Sequence, residues 1–191
     1  MPYALHKPLT EMDYLAEEMR AKLKHEFVDG SIHAMANASE RHNAIAGNLF
    51  AACHAACHGR AYRPSMGDMR LRLRLRLRLK GGNVYYYPDV MVVCNLEDTD
   101  PMFKSLPCLL AEVTSPRIDG VDRREKLTAY LKIPTLRKYL NISQDSLTVD
   151  LCQRQDMNQW HTTQLGAEDS FTSVCMGMTL PVKGINATLV L

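Results

Sequence analysis

The spacing of apolar positions changes several times along the chain, and each change marks an element. Met12, Leu15, Ala16, Met19 and Leu23 recur at helical intervals behind Thr10-Glu11-Met12-Asp13. That predicts a first helix from about Thr10 to Lys22, with Thr10 as its N-cap. Two short apolar runs, His25 to Val28 and Ser31 to Met35, flank Asp29-Gly30 and predict a hairpin. Ile45, Leu49, Ala52, Cys53 and Ala56 predict a second helix from about Ser39 to His58, ended by Gly59. From Met69 to Lys80 the period falls to two, Leu alternating with Arg, which predicts a strand with Leu on one face and Arg on the other. Gly81-Gly82-Asn83 is the expected turn, and Val84 to Cys94 the returning antiparallel partner.

Asn95 to Pro107 reads as loop, Cys108 to Thr114 as a buried strand, and Ser115 to Val121 as loop again. Asp122 is the expected cap of a third helix running to about Lys132, with Pro134 stopping it. Arg137 to Ile142, Leu147 to Gln153 and Asn158 to Gln164 predict a strand meander, followed by a short strand over Thr172 to Met176. The tail from Met178 to Leu191 is expected to pack back on the body. Strands and helices interleave without a linker, so residues 1–191 are expected to form one α/β domain.

Composition narrows the class only a little. The chain is 46% apolar and 23% charged, with a formal net charge of +2, as in an ordinary soluble domain. No stretch approaches the roughly 18 apolar residues of a membrane helix. Met1 to Leu9 lacks the pattern of a secretory leader. Six cysteines are scattered, several within apolar runs; they read as reduced core thiols in a cytoplasmic protein. Cys53-His54-x-x-Cys57-His58 invites a zinc reading, but on a helix the Cys pair and the His pair face different directions. A buried Cys pair with surface His is the expectation.

The chemistry lies in acids placed where apolar residues are expected. Asp89 follows Pro88 at the head of Val90-Met91-Val92-Val93, and Glu112 interrupts Leu109-Leu110-Ala111 and Val113. A buried carboxylate is costly unless something neutralises it. Strand alternation puts Leu110, Glu112 and Thr114 on one face. If the two strands are neighbours, both acids can converge on a divalent cation at about 2.1 Å. The competing possibility is a core acid paired with arginine and a turn-capping aspartate.

Tyr87-Pro88-Asp89-Val90, Ala111-Glu112-Val113-Thr114-Ser115-Pro116 and Asp122-Arg123-Arg124-Glu125-Lys126-Leu127-Thr128-Ala129-Tyr130, in that order, resemble the Uma family of restriction endonuclease-like proteins. That family lies within the PD-(D/E)XK nuclease superfamily. The likeness extends to the early helix, the hairpin with Glu26 and Asp29-Gly30, the helix start Ser39-x-x-His42, and the closing meander. It implies a central mixed β-sheet flanked by helices, with Asp89, Glu112 and the Val113 carbonyl holding Mg²⁺ (or Mn²⁺). The superfamily usually carries a lysine two residues after the glutamate; here that position is Thr114. The Uma-like pattern places the lysine on the following helix, as Lys126, with a solvent-side pair to Asp122 as the alternative. Glu26 matches a family acid before the Asp-Gly turn and is a candidate third carboxylate.

The implied activity is Mg²⁺-dependent hydrolysis of phosphodiester bonds in DNA, with a homodimer expected by analogy. Phosphodiester hydrolysis on another substrate is a further possibility. The displaced lysine keeps a rival open, namely a binding or structural protein that kept the fold and lost catalysis. Arg72, Arg74, Arg76 and Arg78 form the centre of the basic stripe. Side chains two apart on a strand lie about 6.8 Å from each other, so the stripe repels itself unless something offsets it. It reads either as a nucleic-acid backbone contact or as a solvated face that protects the strand from edge pairing.

Overall fold

The computed structural model describes residues 8–35, 37–76, 81–115, 120–156 and 159–186. Helix α1 spans Glu11–Glu18 behind a capping box in which Thr10 and Asp13 satisfy each other's backbone. Strands β1 (His25–Val28) and β2 (Ser31–Ala34) form the expected hairpin. Asp29 and Gly30, at φ 50° and 80°, take the left-handed conformations that such a tight turn demands. Helix α2 spans Glu40–Cys57, with the Ser39 side chain accepting the His42 N–H. Its buried residues are Ile45, Ala46, Leu49, Cys53 and Cys57, while His54 and His58 point to solvent as the spacing required.

Strands β3 (Arg63–Met66), β4 (Arg70–Arg76) and β5 (Gly81–Tyr86) follow. In β4 Leu71 and Leu73 are buried, as alternation predicts. Gly81-Gly82-Asn83 is not a turn: Gly81, Gly82 and Asn83 lie in β5, opposite Arg76, Leu75 and Arg74. The pairs Leu73–Val84 and Leu71–Tyr86 explain why. They set a register that puts four apolar side chains in one core and draws the glycines into the ladder. Nor is Val84 to Cys94 one strand. It breaks at Tyr87-Pro88-Asp89, where proline offers no N–H, and resumes as β6 (Val90–Val93) in a different sheet.

The remaining elements are β7 (Phe103–Lys104), β8 (Pro107–Thr114), α3 (Gly120–Tyr130), β9 (Lys138–Ser143), β10 (Val149–Asp156), β11 (Gln159–Leu165), β12 (Ser170–Ser173), β13 (Met178–Pro181) and the single turn α4 (Val182–Ile185). Helix α3 starts two residues ahead of the expected Asp122 cap. The expected strand to Met176 ends at Ser173, because the chain turns there to pair β12 with β13. No helix among the described residues is long and apolar enough to cross a membrane.

One sheet runs β2-β1-β5-β4-β7 and a second runs β11-β10-β9-β8-β6-β3, with β8 and β9 parallel. The second sheet is covered on both sides, hence the unbroken apolar run of β6. On one side α2 and α4 pack over Val90, Val92, Leu109, Ala111 and Val113. On the other, α3 and the first sheet enclose Met91, Val93 and Leu110 together with Leu71, Leu73, Val84 and Tyr86. Helix α1 covers the outer face of the first sheet, stacking Tyr14 on Phe27 at 4.9 Å.

The cysteines correct one expectation. Cys94 and Cys108 form a disulfide rather than standing as separate thiols. Antiparallel pairing of β6 with β8, shifted between Val92 and Val93, brings their α-carbons to 5.7 Å. Cys53, Cys57 and Cys152 are buried thiols, as expected, and Cys175 is a half-buried one.

Candidate active site

The break between β5 and β6 places Asp89 beside β8. Its Oδ2 accepts the Val113 N–H at 2.7 Å, one residue from Glu112, and the two carboxylates repel each other. Sequence-distant acids therefore meet, as the strand reading required. Glu112 shares the α3-facing side of β8 with Leu110. Its Oε1 accepts the Tyr130 hydroxyl at 2.7 Å.

Lys126 joins the cluster from α3. Its Nζ lies 2.7 Å from Glu26 Oε1, with both side chains largely buried. The ammonium also sits 5.7 Å from the centre of the Tyr86 ring. It reaches an acid on another element, while the side chain of Asp122, the alternative partner, lies outside the described residues. Glu26 reaches it because Phe27, its neighbour on β1, is committed to the α1 side.

The two principal acids live in different environments. Asp89 accepts from a backbone amide and from His42 Nε2 at 3.1 Å. The His42 pKa is raised, chiefly by that hydrogen bond to Asp89, against the effect of burial. Glu112 has its pKa pushed up to about 8 by loss of water and then by the Asp89 charge, with Lys126 and Tyr130 partly opposing. Among the described residues the cluster gathers three carboxylates, Glu26, Asp89 and Glu112, around Lys126 and His42. The Asp89 and Glu112 carboxylates offer hard oxygens of the kind that suit a divalent cation.

Thr114, where the superfamily lysine would stand, donates to Asn141 Oδ1 at 2.9 Å and so joins β8 to β9. The arginine stripe lies elsewhere, on β4. The Arg72 guanidinium stacks over Phe103 at 3.9 Å, and Arg74 is exposed. Arg78 falls outside the described residues.

The Uma2 family model, described as putative restriction endonuclease, matches residues 11–183. The chain belongs to the Uma2 family. Two uncharacterized proteins of Synechocystis sp. (strain ATCC 27184 / PCC 6803 / Kazusa) are similar along nearly their whole length. One is 35% identical over 173 residues, covering 89% of this chain and 94% of the relative. The other is 31% identical over 185 residues, covering 96% and 94%. A crystal structure of a putative nuclease belonging to DUF820 from Anabaena variabilis superposes with a TM-score of 0.75 at 16% identity, covering 96% of this chain and 100% of that one. The Uma2 chain thus has a single α/β domain with a restriction-endonuclease-like core.

Two residues of the cluster escaped the sequence reading. His42 was visible only as part of a helix start, yet its position three residues after the Ser39 cap aims it at the sheet. Tyr130 was read as part of an apolar stripe. Its place four residues after Lys126, on the same helical face, was the available signal.

Proposed function

We propose that this Uma2 protein is a divalent-metal-dependent nuclease that hydrolyses phosphodiester bonds in DNA at the Asp89–Glu112 cluster. The observation that carries this reading is the convergence of Asp89, Glu112, Glu26 and Lys126 from four separate stretches of chain. Asp89, Glu112 and the Val113 carbonyl would hold Mg²⁺ or Mn²⁺. Such an ion, when bound, polarises the phosphate and lowers the pKa of its water.

The side chains then divide the remaining work. Asp89 is held in place by a backbone N–H and the His42 ring, which both donate to it. Glu112 must give up its proton to act as a ligand, and the Tyr130 hydroxyl supports its charged form. Lys126, fixed by Glu26, presents its ammonium to the attacking water and to charge developing on the phosphate. Moving this lysine from the strand to α3 leaves Thr114 free to tie the sheet together.

A cavity of about 430 Å³ opens beside α3, and its lining includes Arg72, Arg74, Asn83 and Lys132. Three cations there suit the phosphate backbone of a nucleic acid. Cutting both strands calls for two sites, which a homodimer would supply. Supercoiled plasmid with Mg²⁺ or Mn²⁺ tests the proposal: nicking is expected in wild type and lost in Glu112→Ala. Plasmid binding without nicking across pH and metal would instead support the inactive binding protein.

A further inference from the structure

Asp89 and Glu112 occupy one end of the β6–β8 pair. The opposite end collects sulfur. Cys94 leaves β6, Cys108 enters β8, and Cys175 sits in the turn between β12 and β13. The three sulfurs lie within 4.8 Å of one another. Three elements remote in sequence thus deliver three thiol-bearing side chains to one point. Thiols of Cys53 and Cys57 on α2 lie behind them, close enough to feel the Cys175 charge.

The surroundings fit more than a disulfide. Arg60 Nη1 donates to the Cys175 carbonyl at 3.2 Å and fixes the turn. Lys138 lies within electrostatic reach of Cys175. A zinc ion held by three thiolates keeps one net negative charge, which these two cations would offset. Cys94 and Cys175 are half-buried, so an ion has a way in.

We propose that Cys94, Cys108 and Cys175 form a three-thiolate site for a thiophilic ion such as Zn²⁺, and that the Cys94–Cys108 disulfide is its oxidised, metal-free form. A two-electron reductant, a dithiol in a cell or a phosphine in vitro, converts the disulfide to two thiols. Zinc binding then forms three Zn–S bonds of about 2.3 Å and releases up to three protons. Cys108 stands four residues before Glu112, about 13 Å along the strand. The ion would tie β6, β8 and the C-terminal hairpin together away from the carboxylates.

The test uses the full chain, reduced by phosphine, desalted and titrated anaerobically with Co²⁺ alone and then Zn²⁺. The expected result is one Co²⁺ per chain, with thiolate charge-transfer and tetrahedral d–d bands that Zn²⁺ abolishes. The unreduced protein should show neither. Cys175→Ser leaves the disulfide pair and the fold intact and should weaken binding about a hundredfold or more, while Cys152→Ser should change nothing. Cys94→Ser and Cys108→Ser should match Cys175→Ser if they fold. A reduced wild type without thiolate bands, or bands of undiminished affinity in Cys175→Ser, would overturn the proposal.

Discussion

The α2 flank and the α3 flank of the carboxylate cluster surround the same functional group with different partners. On the α2 flank Asp89 receives hydrogen bonds from the Val113 amide and from His42. On the α3 flank Glu112 is stripped of water faster than Tyr130 and Lys126 compensate, and its pKa rises to about 8. Asp89 is the acid anchored by hydrogen bonds from the backbone and from His42. Glu112 is the member whose charge depends on what else enters the site.

Breaking either flank outright should have the largest effect. Asp89→Ala and Glu112→Ala should each lower plasmid nicking by at least about a thousandfold, read from initial rates at saturating Mg²⁺. Lys126→Ala should cost somewhat less, on the order of 10²–10³-fold in kcat, with metal affinity nearly unchanged. A large loss of metal affinity in that variant would mean that the ammonium organises the acids and does not act on the reaction. His42→Ala removes a support of Asp89 and should weaken Mn²⁺ binding by about tenfold in calorimetry.

The flanks also predict a pH dependence. Glu112 binds its proton more tightly folded than unfolded, so its contribution to stability is full below about pH 4.5 and is lost as pH rises through about 8. His42, with a raised pKa, loses its contribution in the same direction. The Tm of the metal-free protein should therefore fall between pH 6 and about pH 8. Mg²⁺ should restore more stability at the upper end, with proton release on binding. Glu112→Gln should flatten the profile. A wild-type profile rising with pH would contradict the raised Glu112 pKa. The smallest effect is expected for Tyr130→Phe: a further rise in the Glu112 pKa and a few-fold loss of activity at neutral pH.

Much of the site was legible because burial and charge conflict locally. Acids inside Val- and Leu-rich runs stand out in any reading of the chain, and Asp89 and Glu112 are such acids. Family resemblance pointed to Lys126 and Glu26 as separate candidates; their pairing was not legible, since 100 positions separate them in the chain. His42 and Tyr130 stayed hidden because each also satisfies an ordinary helical role. In the fold, Gly81-Gly82-Asn83 misled because turn propensity is local, whereas the Leu73–Val84 register that overrules it is tertiary. Asn83 even gains a partner on α1, its side-chain amide donating to Glu11 at 2.9 Å. The switch of sheets at Pro88 did leave a trace: the alternation of β4 is replaced by four consecutive apolar residues in β6. The Cys94–Cys108 pair left none, because it follows from a register shift between strands.

Crystals of the protein equilibrated with Mn²⁺ and measured at its absorption edge would locate the ion itself. The account predicts an anomalous peak bound by the carboxylates of both Asp89 and Glu112, with Lys126 nearby and the peak absent in Asp89→Ala. A peak that touches neither acid, or no peak at saturating Mn²⁺ at pH 8, would contradict it.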